Sequence, residues 1–275
     1  MFADDTNMFD SDKDLILLQD RINNELNKVV QWVNANKLSL NVKKTQYMLF
    51  KGKKQAGTDV QIVINGANLV KTEKNKFLGI ILSDNLSWQK HIDYISKKIS
   101  KSIGILYKLS SYLNRKSLIG LYYCFIYPYF LYCNEVWGLA YATHKRQLFV
   151  LQKKALRIIC HSSKYESTDP LFRELKLLKL SNINQYVINQ FMFRFYSCSL
   201  PPVFDSMFTL NYAVHNYGTR QNQELHVPLV RTNLTKMSIR YHGVITWNFT
   251  LKKIDIIGSL PSFKWKLKNY IINNQ

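Results

Sequence analysis

Apolar residues recur along the chain with two different periods. From Ser11 to Asn36, Leu15, Leu18, Ile22, Leu26, Val29 and Val33 return at spacings of three and four. That pattern predicts an amphipathic helix, with Ser11 and Asp14 placed as a capping box. From Leu38 to Leu82 the period shortens. Tyr47 to Phe50 is a short apolar run, and Val60, Ile62 and Ile64 alternate. Asn65-Gly66 supplies a tight hairpin turn before Leu69-Val70, and Phe77 to Leu82 reads as another strand. After Trp88 the pattern is helical for most of the remaining length, with a break at Pro201-Pro202. The expected fold class is α+β, mostly α: a helix and a small antiparallel sheet, followed by helical regions.

Within the helical part, Trp88 to Leu109 sorts its residues by chemistry. At 100° per residue, Ile92, Ile95, Ile99, Ile103 and Leu106 form one narrow stripe. Lys90, Lys97, Lys101 and Lys108 form another, directly opposite, with Asp93 off to one side. A solvated surface helix usually mixes signs of charge; a one-sign rail suits a phosphate backbone.

The segment between Ser117 and Thr143 carries Glu135 as its only charge and invites a membrane reading. Six tyrosines, the central Pro128 and the Asn134-Glu135 pair argue against a lipid-exposed span. Two buried helices broken near Pro128 are the expectation. The four cysteines form no CxxC pair, and zinc-finger spacing is absent. Buried reduced thiols and an intracellular location, nucleus or cytoplasm, follow as expectations.

Charge sharpens the division already drawn by period. The 275 residues carry 38 Lys and Arg against 18 Asp and Glu, a net charge of +20. Residues 1–50 hold 6 basic and 7 acidic side chains; residues 51–160 hold 18 and 5, and residues 161–275 hold 14 and 6. An acidic beginning fits metal ions, and a basic body fits a polyanion, nucleic acid before an anionic membrane surface.

Phe2-Ala3-Asp4-Asp5 is the sharpest chemical signal. Adjacent carboxylates on a tight turn suit a hard cation such as Mg²⁺, and two-metal phosphoryl transfer uses such oxygens. After it come a helix, LSLNVKKT from Leu38 to Thr45, a strand ending at Phe50, a hairpin and Phe77 to Ile80. Together these resemble the reverse transcriptases of non-LTR (LINE-type, jockey-like) retrotransposons. Leu86-Ser87-Trp88 with His91-Ile92 is similar to the start of that family's thumb. Pro128 to Gly138 and Gln152 to Arg157 resemble its post-thumb region. His215 to Tyr217 with Thr219-Arg220, Ile239 to Gly243 and Trp247-Asn248 resemble its C-terminal signature.

The resemblance implies a partial palm over 1–86, a thumb over 87–127 and a post-thumb region over 128–275. It implies RNA-templated DNA synthesis with Mg²⁺, on an RNA template and a DNA primer or an RNA–DNA hybrid. Phe2 to Asp5 match the palm motif that binds the metal, with Asp4 the principal ligand, Asp5 the weaker one, and Phe2 and Ala3 beside the nucleotide. Lys44 matches the position near the incoming nucleotide's phosphates, with Lys43 as competitor. Phe77, Leu78 and Gly79 match the primer-grip turn. Lys90, Lys97, Lys101 and Lys108 would follow the duplex backbone. Another aspartate from an upstream strand completes the family's centre, so the expectation is a C-terminal part that does not polymerise alone. The alternatives are a non-catalytic nucleic-acid-binding relic and a peripheral membrane protein.

Overall fold

The computed structural model describes residues 6–52, 60–214, 218 and 220–275. The chain divides into two compact units, with the boundary along the chain between Ser87 and Trp88.

In the first unit, α1 (Leu15–Ala35) turns its apolar stripe inward, with Val30 and Val33 buried. Asp14 alone caps it: its carboxylate accepts from the Ile16 backbone N–H at 2.8 Å. The capping box expected from Ser11 does not form. The Ser11 carbonyl instead accepts from Arg21, which also pairs with Asp10 and Asp12. Much of the early acidity therefore already has a structural partner.

Among the described residues six short strands follow: β1 (Gln46–Tyr47), β2 (Val63–Ile64), β3 (Ala67–Asn68), β4 (Val70–Lys71), β5 (Lys74–Phe77) and β6 (Ile80–Ser83). β2 and β3 form the hairpin expected across Asn65-Gly66. Both turn residues have positive φ, 51° and 75°, which matches the right-handed twist of the flanking strands. β5 and β6 are antiparallel, whereas β1 pairs in parallel with β4. The expected strand up to Phe50 is reduced to Gln46–Tyr47. Val60, Ile62 and Ile64 are all buried, as their alternation predicts. Helix α1 supplies polar partners to this extended run. Gln19 accepts from the Gln61 N–H, while Asn23 accepts from Val63 N–H and donates to the Gln61 carbonyl. Two side chains one helical turn apart thus satisfy backbone groups of Gln61 and Val63.

The second unit is helical among its described residues. Its elements are α2 (Gln89–Leu109), α3 (Arg115–Phe125), α4 (Tyr127–Leu131), α5 (Asn134–Trp137), α6 (Ala142–Cys160), α7 (Asp169–Glu174), α8 (Leu180–Tyr196), α9 (Asn211–Val214), α10 (Asn233–Lys236), α11 (Ile239–Leu251) and α12 (Leu260–Asn273). The Pro201-Pro202 break leads into a single 3-10 turn, Pro202–Phe204. α2 packs on α6 and α3, and α8 packs on α5, α11 and α12. The apolar segment around Pro128 becomes α3 to α5. Its Leu118, Tyr122, Ile126, Phe130 and Trp137 are buried in the core of this unit, which accounts for the hydropathy. The helix breaks at Ile126, one residue before Tyr127 opens the turn that holds Pro128. Among the described residues no helix is long and apolar enough to cross a membrane. The cysteines are free but not buried: Cys124 and Cys198 are exposed, Cys133 and Cys160 half-buried.

Candidate nucleic-acid interface

Helix α2 separates its two faces as its spacing predicts. Ile92, Ile95, Ile99, Ile103 and Leu106 are buried, none more than 3% exposed, so burial fixes the rotation of the helix about its axis. Lys90, Lys97, Lys101 and Lys108 are all exposed on the far side. Lys98, outside the predicted rail, is exposed as well and lies 5.7 Å from the centre of the Tyr94 ring. The core therefore orients the cations: turning the rail inward would expose five large aliphatic side chains, at about 1.5–3 kcal/mol each.

Beside the rail, α2 and α6 enclose an open groove of about 540 Å³, lined by Asp93, Ser96, Lys97, Ser100, Lys101 and Gln147. Asp93 is the acid in it, and its carboxylate is engaged. It accepts from the Gln89 amide at 3.0 Å and the Gln147 amide at 2.9 Å. Neutral amides hold Asp93, so Lys97 and Lys101 are left facing the groove with hydroxyls beside them. Lysines and hydroxyls at this spacing can donate to phosphate oxygens without competition from an internal carboxylate. The spacing of α2 reveals the lysines. Gln147 comes from another helix 54 positions away, and no period in the sequence links it to Asp93.

In the first unit the matched positions take up distinct local geometry. Lys43 and Lys44 are exposed on a turn closed by Asn41, whose carbonyl and side chain both accept from the Lys44 N–H. The turn leads directly into β1. Phe77, Leu78 and Gly79 form the reversal between β5 and β6, where sequence pattern alone suggested a continuous strand. Leu78 and Gly79 both take positive φ, 45° and 83°. Leu78 is also exposed, an apolar side chain held in a strained backbone conformation at the tip of a turn. Phe2, Ala3, Asp4 and Asp5 lie outside the described residues, as do His215 to Tyr217 and Thr219. Among the described residues no group of three or more His, Cys, Asp or Glu side chains is placed to hold a metal ion.

Several residues of the matched motifs have structural work. A side chain at Gly138 would collide with Asn134 Oδ1 and Asn184 Nδ2, where those two amides hydrogen-bond at 2.8 Å. At Gly243, α11 approaches Met192 of α8 so closely that an added Cβ would sit 3.0 Å from the sulfur. Trp247 is fully buried, and Asn248 clasps Leu225 through both its backbone N–H and its carbonyl. Gln152 is buried between three elements: it donates to the Tyr122 hydroxyl and the Leu178 carbonyl and accepts from the Leu180 N–H. These residues build the scaffold that carries α2 and do not themselves face the groove.

Over 196 residues, 70% of this chain, the sequence is 26% identical to the RNA-directed DNA polymerase from mobile element jockey of Drosophila melanogaster. It is 28% identical over 185 residues, 66% of the chain, to the polymerase of the same name from Drosophila funebris. A probable RNA-directed DNA polymerase from transposon X-element of Drosophila melanogaster is 25% identical over 54% of the chain. The resemblance read from the motifs is thus a similarity to polymerases of this kind across more than half of the chain. The chain spans about a fifth of the length of these curated relatives, 21%, 20% and 16%. No family model and no solved structure matches it.

Proposed function

We propose that this chain is part of a non-LTR retrotransposon reverse transcriptase, in which the first unit belongs to the palm and α2 is the thumb helix that follows the template–primer duplex. The observation that carries the reading is the exposed one-sign lysine face of α2, in a chain similar to RNA-directed DNA polymerases over 70% of its length. A duplex presents regularly spaced phosphates and hides its base faces, so a rigid rail of ammonium groups is the chemistry it calls for. The lysines act through charge, and the isoleucine stripe on the opposite face keeps them in register.

In the same reading, Asp4 and Asp5 are the carboxylates toward Mg²⁺, with Phe2 and Ala3 beside the nucleotide. Hard carboxylate oxygens fit that ion, which supplies charge stabilisation for nucleotidyl transfer when bound. Lys44 lies toward the nucleotide phosphates, with Lys43 next to it on the Asn41 turn. Leu78 at the reversal between β5 and β6 packs against the primer backbone, which gives its exposure and strain a use. Two adjacent carboxylates from one segment do not align two metals by themselves. The 275 residues alone therefore bind a primer–template without extending it. Primer extension on an RNA template with purified chain and Mg²⁺ tests this. The expected result is a bound hybrid with no added nucleotides; template-dependent incorporation that disappears in Asp4→Ala contradicts it.

A further inference from the structure

A second open groove, of about 620 Å³, runs along α12 in the helical unit and shares no residue with the α2 rail. Trp265 stands in it 69% exposed, with Tyr270 half-buried nearby. Asn269 and Asn273 follow Trp265 at successive intervals of four, so the three side chains lie within about 80° of one another around the helix. The buried Phe263, Leu267 and Ile271 occupy the opposite side. Lys176, Lys253 and Lys266 complete the groove. Asp255 is its acidic member, and it is paired with Lys266 at 3.5 Å. From Lys252 to Lys268 the sequence carries five lysines and this one aspartate.

Each of these groups matches one part of a nucleotide whose base is free. An exposed indole offers a flat face for stacking, lysines meet phosphates, and carboxamides meet base edges. A duplex cannot use the indole, because its base faces are already stacked. Anionic lipid headgroups would use the lysines and leave the carboxamides without a role. The geometry points to a binding site for a short single strand of nucleic acid, with Trp265 as stacking platform, Lys176 and Lys253 on phosphates, and Asn269 and Asn273 toward base edges. Trp265 to Asn273 spans about 12 Å along the helix axis. That is the length of three to four stacked nucleotides at roughly 3.4 Å each. Such a site holds an unpaired stretch of strand while the α2 rail holds paired duplex.

Fluorescence anisotropy with the full chain tests the assignment, using labelled twelve-nucleotide oligo(U) and oligo(dT) against a blunt RNA–DNA hybrid. Trp265→Ala is expected to weaken both single strands by about tenfold. Hybrid binding should stay within about twofold and thermal melting unchanged, because the indole is exposed. Lys176→Gln with Lys253→Gln should lower the single-strand salt slope by about 1.4, two phosphates at roughly 0.7 each. Lys97→Gln with Lys101→Gln should do the reverse, weakening hybrid and sparing single strands. Single-strand affinity unchanged in both groove variants overturns the assignment. So does an equal loss for hybrid and single strand, or a Trp265 dependence seen only with phosphatidylserine vesicles. If the wild-type chain holds single strands but not the hybrid, the duplex reading of α2 falls and this site stands.

Discussion

At Gly138 the backbone runs against the Asn134 and Asn184 amides with no room for a methyl group. Gly138→Ala must push apart a buried hydrogen bond and overpack its surroundings, so a loss of about 3 kcal/mol is expected. The urea midpoint should drop at unchanged slope. The sequence shows this glycine only as part of a motif; the crowding that requires it comes from Asn134 together with Asn184, which lies 46 positions later and on another helix. His91 was likewise visible only as a motif residue. Burial holds its imidazole down to about 4 from the ordinary 6.5, and it lies 5.6 Å from the Trp137 ring. The unfolded chain therefore takes up a proton before the folded one does. This contribution to stability is complete above about pH 6.5 and is lost as pH falls toward 4. His242 shifts in the same direction, chiefly by burial and then by the charge of Lys145. Asp10 and Asp12 stay below their ordinary 3.8, Asp10 mainly through Arg21 and Asp12 mainly through the Asp14 N–H. Their protonation comes at lower pH. Urea titrations at pH 7, 6, 5 and 4.5 should show falling stability, with a shallower fall in His91→Leu and a remainder from His242. Equal slopes in wild type and variant would contradict the assignment of His91.

At the scale of elements, length decides what a sequence reveals. α2 is 21 residues long, and its isoleucines and lysines repeat often enough for the period to identify both the helix and its two faces. Ile99→Ala is expected to cost about 2–5 kcal/mol through lost burial and the cavity left behind. Lys97→Gln, two positions earlier and exposed, should change stability by no more than about 0.5 kcal/mol. Comparison of their denaturation midpoints tests whether α2 keeps structure and binding on separate faces. The strands of the first unit are two to four residues long, too short for alternation to mark their ends. The stretch from Phe77 to Leu82 hides a reversal because Leu78 is apolar and only Gly79 signals a turn. Asn65-Gly66, with a turn signal at both positions, was legible. The cap of α1 departs from its sequence pattern for a related reason. Ser11 and Asp14 have the right spacing for a box, but Arg21 draws the Ser11 segment into contact with its own side chain.

Across the whole molecule, the net charge of +20 predicts a polyanionic partner, and the structure distributes that charge unevenly. In the first unit Arg21 answers Asp10 and Asp12; in the second, the rail lysines of α2 and the lysines beside Trp265 lie on exposed surfaces away from the core. The fold class was legible because helical period dominates after Trp88. The rail was legible because it lies on one long helix. The grooves were not, since each joins residues from separate elements, Gln147 to Asp93 in one and Lys176 to Trp265 in the other. Binding of duplex phosphates by the lysine face of α2 is the function proposed for this helix. Titration of a labelled RNA–DNA hybrid against salt, for wild type and for Lys97→Gln with Lys101→Gln, tests it most directly. In the variant, affinity is expected to fall and the slope of log affinity against log salt to drop by about 1.8, two phosphate contacts at roughly 0.9 each. An unchanged slope with the fold intact would contradict it.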